Sequence, residues 1–183
     1  MPLRPVLQFP DPRLKRASEP IEKITDEIRM LAADMLDVMY DEPGIGLAAP
    51  QVGEAVRLIV VDTEWPSEEE DDDERLAEER RNPLVLVNPE IVHREGKLVW
   101  TEACLSVPDF SAEVERSERV VVRGTNLEGD PIEEEAEQLR AVCLQHEIDH
   151  LDGVLFIDRL SRLKRSMYVK KRKKLLREEE DEA

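Results

Sequence analysis

The sequence predicts an α+β fold: mostly antiparallel sheets around one central helix, with further helices near the N- and C-terminal ends. Three observations predict it. An apolar face at helical spacing runs from Ile28 to Met39. The middle of the chain carries β-branched runs separated by turn signals. Two more helical stretches follow towards the end.

In chain order, Thr25 reads as an N-cap, with Asp26 and Glu27 in the first turn. Ile28, Leu31, Met35, Val38 and Met39 form one helical face, which should end near Asp41, before Pro43 and Gly44. Gly44 to Gly53 (GIGLAAPQVG) reads as a loop, and Val56 to Thr63 as a buried strand. The acidic segment from Glu64 to Asn82 has no apolar period; it reads as a solvated excursion with helical character near Glu74 to Arg80. Strands are expected at Leu84–Val87, Lys97–Glu102 and Arg119–Arg123. Turns are expected at Asn88-Pro89, Glu95-Gly96, Pro108-Asp109 and Glu128-Gly129-Asp130. A central helix is expected from about Glu133 to Leu151, then a short strand at Val154–Ile157 and a final helix from about Ser161 to Arg177.

A chain of 183 residues is most simply one domain, here 1–183, with 67–81 as an acidic variable loop and 178–183 as a tail without regular structure. Its N-terminus lacks the apolar core of a secretory signal and no apolar run reaches membrane-span length, so the expected location is the cytoplasm, with no membrane partner. Lys and Arg number 26 against 43 Asp and Glu, a net charge of −17 that argues against DNA as a partner. The charge is uneven: Arg159 to Arg177 is strongly basic. The two cysteines, Cys104 and Cys143, are expected as thiols.

Gly44 to Ala49 (GIGLAA) fits the G-x-G-x-x-G/A pattern of a dinucleotide-binding turn. Such a turn must follow a strand and open a helix. Here a helix precedes the glycines and a strand follows, and Pro50 sits where a new helix would need backbone donors. No Gly-Lys-Ser/Thr follows, so a P-loop is excluded as well.

The sharper signal is QHEIDH, Gln145 to His150. His146 and His150, four residues apart, leave one helix face about one turn apart and can share a metal. Glu147 points about 100° away from His146, poorly placed as a ligand on that face but able to reach a water as general base. A third ligand is needed. Cys143 and His150 are separated by about 10.5 Å of helix rise, too far to share one ion with His146, so Cys143 reads as a small core residue. His93 lies between strand-like segments without a supporting pattern, and Asp149 is a local option that competes with a supporting or surface role. Cys104, in TEACLSVP, stands at a strand end where a side chain can face a cleft, although a lone cysteine is ordinarily structural.

GIGLAAPQ (Gly44–Gln51), EACLS (Glu102–Ser106) and QHEIDH (Gln145–His150), in that order, resemble the three motifs of the peptide deformylases. The resemblance extends from VLQFPDPRL near the start to FIDRLSRLK near the end, and departs where Ala103 replaces the family's usual glycine. It implies a metal-dependent hydrolase that removes the formyl group from the N-terminal formyl-methionine of nascent peptides, as part of protein biosynthesis. It implies one divalent metal held by Cys104, His146 and His150 with water in the fourth position. Fe²⁺ is the native ion it implies, with Zn²⁺, Ni²⁺ or Co²⁺ able to replace it; the ligand types alone would suggest zinc. It implies Glu147 as general base, and the Gln51 side chain with the Leu105 backbone N–H as oxyanion donors.

Leu139, Val142, Cys143, His146 and His150 share one helix face. Plain core packing is one reading of the apolar members. The other is that some of Leu139, Val142 and Cys143, with Ile45, wall a pocket for an unbranched methionine side chain, while Gly46 lets the peptide backbone approach. Lys170 to Lys174 (KKRKK) suggests a transient contact with ribosomal RNA, opposed by the trailing EEEDEA. Two competing readings remain: an endopeptidase of the H-E-x-x-H type, which would use a His or Glu third ligand, and a non-catalytic metal-binding protein, which would need neither Glu147 nor Gln51.

Overall fold

The computed structural model of the chain describes residues 3–42, 44–64 and 80–182. Helix α1 spans Asp26–Asp41, as its apolar period predicts, with Thr25 at the N-cap position. The loop expected at Gly44–Gly53 is more ordered than that. Gly46–Ala48 forms a short strand, β1, and Ala49–Val52 one turn of 3-10 helix. The buried run forms β2, Leu58–Val61.

Strand β3 runs Leu84–Glu95, straight through the Asn88-Pro89 pair expected to turn the chain. The pair makes a bulge instead: the pairing register with β6 shifts between Val87 and Glu90, and Asn88 has φ 51°. The Asn88 carboxamide bonds both backbone groups of Ile21 at 2.8 Å, which offsets the interruption of the ladder. Gly96 does turn the chain into β4, Leu98–Cys104. Strand β5 covers Val107–Arg116 and includes the expected Pro108-Asp109 turn, again as a bulge with Asp109 at φ 57°. The turn between β4 and β5 is Leu105-Ser106. Strand β6 is Arg119–Thr125.

The central helix, α2, spans Gln138–Leu151, not Glu133–Leu151. Pro131–Glu137 is strand β7, antiparallel to β6. Its glutamates had looked helical, but Glu133, Glu135 and Glu137 alternate on the exposed side, where Arg119 and Arg123 of β6 pair with them. No strand forms at Val154–Ile157. After Gly153, at φ 72°, Phe156–Arg159 makes a 3-10 turn, and helix α3 runs Arg162–Glu182, past the expected end at Arg177 and through most of the stretch expected as a tail without regular structure. The expected helical character near Glu74–Arg80 lies almost wholly outside the described residues.

The strands form a five-stranded antiparallel sheet, order β1-β2-β3-β6-β7, and a separate β4-β5 hairpin. Helix α1 covers one face of the larger sheet: Leu31, Met35 and Met39 pack with Leu47, Leu58 and Val60. Helix α2 covers the other, with Ala141, Leu144, Ile148 and Leu151 against Ile59, Val61, Leu86 and Val122. A third cluster joins Phe9, Val107, Val114, Phe156 and Tyr168, seating α3 and the N-terminal segment against β5. Helix α2 therefore lies on the larger sheet, with β1 and the end of β4 beside it.

Candidate active site

Every residue of α2 from Ala141 to Leu151 is buried, including five polar ones. Burial of such groups is tolerated only where they are bonded, and four of the five are. Gln145 donates to the Ser117 and Ala141 carbonyls and accepts from Arg94 and the Ser117 amide, so its carboxamide is saturated. His146 Nδ1 lies 2.8 Å from Glu102 Oε2. Asp149 receives Arg116 at 2.6 Å and both nitrogens of the Arg159 fork. It is fully engaged and is not a ligand.

The imidazoles of His146 and His150 turn their Nε2 atoms to a common point, 3.2 Å apart, and Cys104 Sγ lies 3.3 Å from His150 Nε2. The three donor atoms all lie within 4.8 Å of one another. A tetrahedron with bonds of about 2.0–2.3 Å has edges of about 3.3–3.8 Å, so one thiolate and two imidazoles here fit a single ion. The other sequence candidates fall away. His93 is exposed beside Glu95. Cys143 is buried with its thiol directed at the Ile45 carbonyl, 3.4 Å away, and burial raises that thiol well above its usual range.

The fifth polar residue is Glu147. Its Oε2 is buried and has no hydrogen-bond partner among the described residues. Burial pushes its carboxyl up to about 7, against the pull of His146. Gly46 is fitted to this side chain: a Cβ there would stand 2.5 Å from Glu147 Oε1 and 2.8 Å from Cys143 Sγ. The glycine is thus required first by the carboxylate behind it.

A cleft of about 730 Å³ opens over these groups. Cys104, His146 and Glu147 line it; His150 lies beneath, behind the other two donors. Ile45, Gly46, Leu139, Val142 and Cys143 all line it, as do Gln51 and Leu105. Gln51 is buried; its Oε1 accepts from the Ala48 amide, and its Nε2 donates to Ser106 Oγ at 3.1 Å and lies 3.6 Å from Cys104 Sγ. Ala103 also lines the cleft, on β4.

Sequence reasoning missed the support behind the ligands. Glu102 is almost wholly buried and takes a forked contact from Arg116, Nε at 2.6 Å and Nη2 at 2.9 Å, while holding His146 Nδ1. Burial works against its charge, but Arg116 and His146 outweigh burial and hold it at about 2. Such a carboxylate fixes the ring and leaves Nε2 free for the metal. Glu102 stood in a quoted motif; Arg116, at the end of β5, gave no signal in the sequence.

A family model described as Polypeptide deformylase matches residues 3–166. A peptide deformylase of Alkalilimnicola ehrlichii is 51% identical over 179 residues, 97% of this chain and 93% of that protein. One of Mesorhizobium japonicum is 49% identical over 181 residues, covering 97% and 96%. Among solved structures, a peptide deformylase from Legionella pneumophila gives a TM-score of 0.84 at 41% identity, covering 97% of this chain and 98% of that one. One from Ehrlichia chaffeensis in complex with actinonin gives 0.83 at 37%, covering 95% and 98%.

Proposed function

The chain belongs to the polypeptide deformylase family, and from that premise we propose how its own residues perform the reaction. The activity is metal-dependent hydrolysis of the formamide on an N-terminal formyl-methionine. The observation that carries the assignment of roles is the meeting of Cys104, His146 and His150 beside the unpartnered, buried Glu147 Oε2.

Cys104, His146 and His150 hold one divalent ion. The native ion is Fe²⁺, with Zn²⁺, Ni²⁺ or Co²⁺ competent in its place; a thiolate beside ferrous iron makes the enzyme oxygen-sensitive. When bound, the ion supplies Lewis acidity and lowers the pKa of a water from 15.7 towards about 7. Glu147 accepts the proton of the attacking water and delivers it to the departing amine, so that water and formamide become formate and a free N-terminus. The Gln51 carboxamide and the Leu105 N–H stabilise the oxyanion that forms on the formyl carbon, each contributing about 10²–10³ in rate. Ile45, Leu139, Val142 and Cys143 wall the methionine side chain, and the peptide backbone passes Gly46.

The test is formate release from formyl-Met peptides by anaerobically prepared protein, with metal measured in parallel. Glu147→Ala should keep its metal and lose about 10²–10⁴ in turnover. Cys104→Ala should lose the metal. Undiminished turnover in the first, or full occupancy in the second, removes that residue from its role.

The enzyme acts in the cytoplasm as a single domain on nascent chains, and helix α3 makes a transient contact with ribosomal RNA. Lys170, Lys171, Lys173 and Lys174 are exposed, whereas Arg172 is buried, so the basic run presents four cations to solvent. Changing Lys170, Lys171 and Lys173 to Glu should reduce co-sedimentation with ribosomes. Unchanged co-sedimentation ends that reading.

A further inference from the structure

The two oxyanion donors sit on separate elements. Gln51 is in the 3-10 turn after β1, and Leu105 is in the β4–β5 turn. Their spacing must hold to a fraction of an ångström, because a misplacement of about 1 Å can cost 10²-fold in rate. The Gln51–Ser106 side-chain bond is one link between them. A second is the N-terminal segment, which crosses both turns. The Leu7 amide donates to the Gln51 carbonyl at 2.7 Å and the Phe9 amide to the Ser106 carbonyl at 2.8 Å. Alternate amides of one extended stretch thus grip the two turns together.

This clasp belongs to no named strand, so something else must hold it. Helix α3 does. Tyr168 packs on Phe9, ring centroids 5.9 Å apart, and on Phe110 of the cleft wall, 4.6 Å apart. One turn on, Arg172 Nε donates to the Phe9 carbonyl at 3.2 Å and Nη2 to Gln8 Oε1 at 2.9 Å. Gln8 itself lines the cleft. Arg172 is buried, and no carboxylate pairs with it among the described residues. Mere filling of that site needs no charge, since an apolar side chain of the same length would avoid the desolvation cost.

We propose that Arg172 is a positioning residue for deformylation: by fixing Gln8 and Phe9 it sets the clasp that holds the Gln51 and Leu105 donors at their working separation. The inference rests on the reading of those two groups as oxyanion donors. Helix α3 is thereby part of the catalytic support as well as a basic surface.

The experiment is a double-mutant cycle on the metal-loaded enzyme, with metal content and thermal midpoint measured for each variant. Arg172→Met should lower kcat about tenfold with KM within about twofold, because oxyanion donors act in the transition state. Gln51→Leu should cost about 10²–10³. The double variant should be no worse than Gln51→Leu by more than about twofold, since the clasp has less left to position. Arg172→Lys, which can restore one of the two bonds, should fall between wild type and Arg172→Met, and it carries the test if the methionine variant does not fold. Arg172→Met within twofold of wild type (or Arg172→Lys at the full wild-type kcat, where the methionine variant does not fold), or losses that multiply in the double variant, would overturn the positioning role. Wild-type kcat in Gln51→Leu would instead sink the donor assignment beneath it.

Discussion

Helices α2 and α3 are opposites. From Ala141 onward α2 is buried on every side, yet it carries two histidines, a glutamate, an aspartate and a glutamine in that stretch. Helix α3 is longer and mostly exposed; among its described side chains only Tyr168 and Arg172 are buried. Polarity does not decide which helix goes inside. Partners do. The α2 polar groups have Glu102, Arg116, Arg159, Arg94 and the Ser117 backbone waiting for them on β3, β4, β5 and the adjoining turns. Glu147 alone is left without one among the described residues, and it is the group proposed to handle protons. On α3 the two buried residues, Tyr168 and Arg172, are the ones that grip the N-terminal segment.

The contrast can be broken at its strongest point. Glu102→Gln keeps shape but loses one acceptor, so the new amide must face either the Arg116 fork or the His146 ring. Metal affinity, measured by chelator competition, should fall about 10–100-fold, as for other carboxylates behind a ligand histidine. The same loss of charge on α3, Lys173→Gln, should leave metal affinity within about twofold and change stability by less than about 0.5 kcal/mol. Equal effects from the two would mean that burial of α2 does not depend on its pairing.

What the sequence revealed follows the same division. Helix α1 was legible because its burial is one-sided and leaves an apolar period. The Cys/His/His cluster that could hold a metal was legible because H-E-x-x-H fixes two imidazoles of α2 at one spacing, and motif resemblance brought in Cys104 from forty-two residues earlier. Strand β7 was misread as the start of α2 because alternating glutamates give no apolar period; their partners, Arg119 and Arg123, lie on the neighbouring strand. Asn88-Pro89 and Pro108-Asp109 carry real turn chemistry, but tertiary pairing made each a bulge. Arg116 and Arg172 were invisible for one reason: a buried arginine is defined by acceptors distant in sequence, and nothing local distinguishes it from a surface one.

The smaller effect belongs to the joint between the helices. Asp158, in the 3-10 turn that leads from α2 to α3, contacts Lys15, the Leu155 amide and Arg165 of α3. Burial alone would raise its carboxyl, but Lys15, the amide and Arg165 prevail and hold it below its ordinary 3.8. A carboxylate held below its unfolded value binds fewer protons folded than unfolded. Its contribution to stability is therefore present above about pH 4 and is lost as pH falls through the folded value. In Asp158→Asn the amide can still accept from Leu155 but attracts neither cation. The thermal midpoint of the variant should lie a few degrees below wild type near pH 7, and the gap should close as pH falls below 3.8. A gap that stays constant down to pH 3 would mean the carboxylate's charge does not anchor α3. Tyr168 and Arg172 would then hold that helix without it.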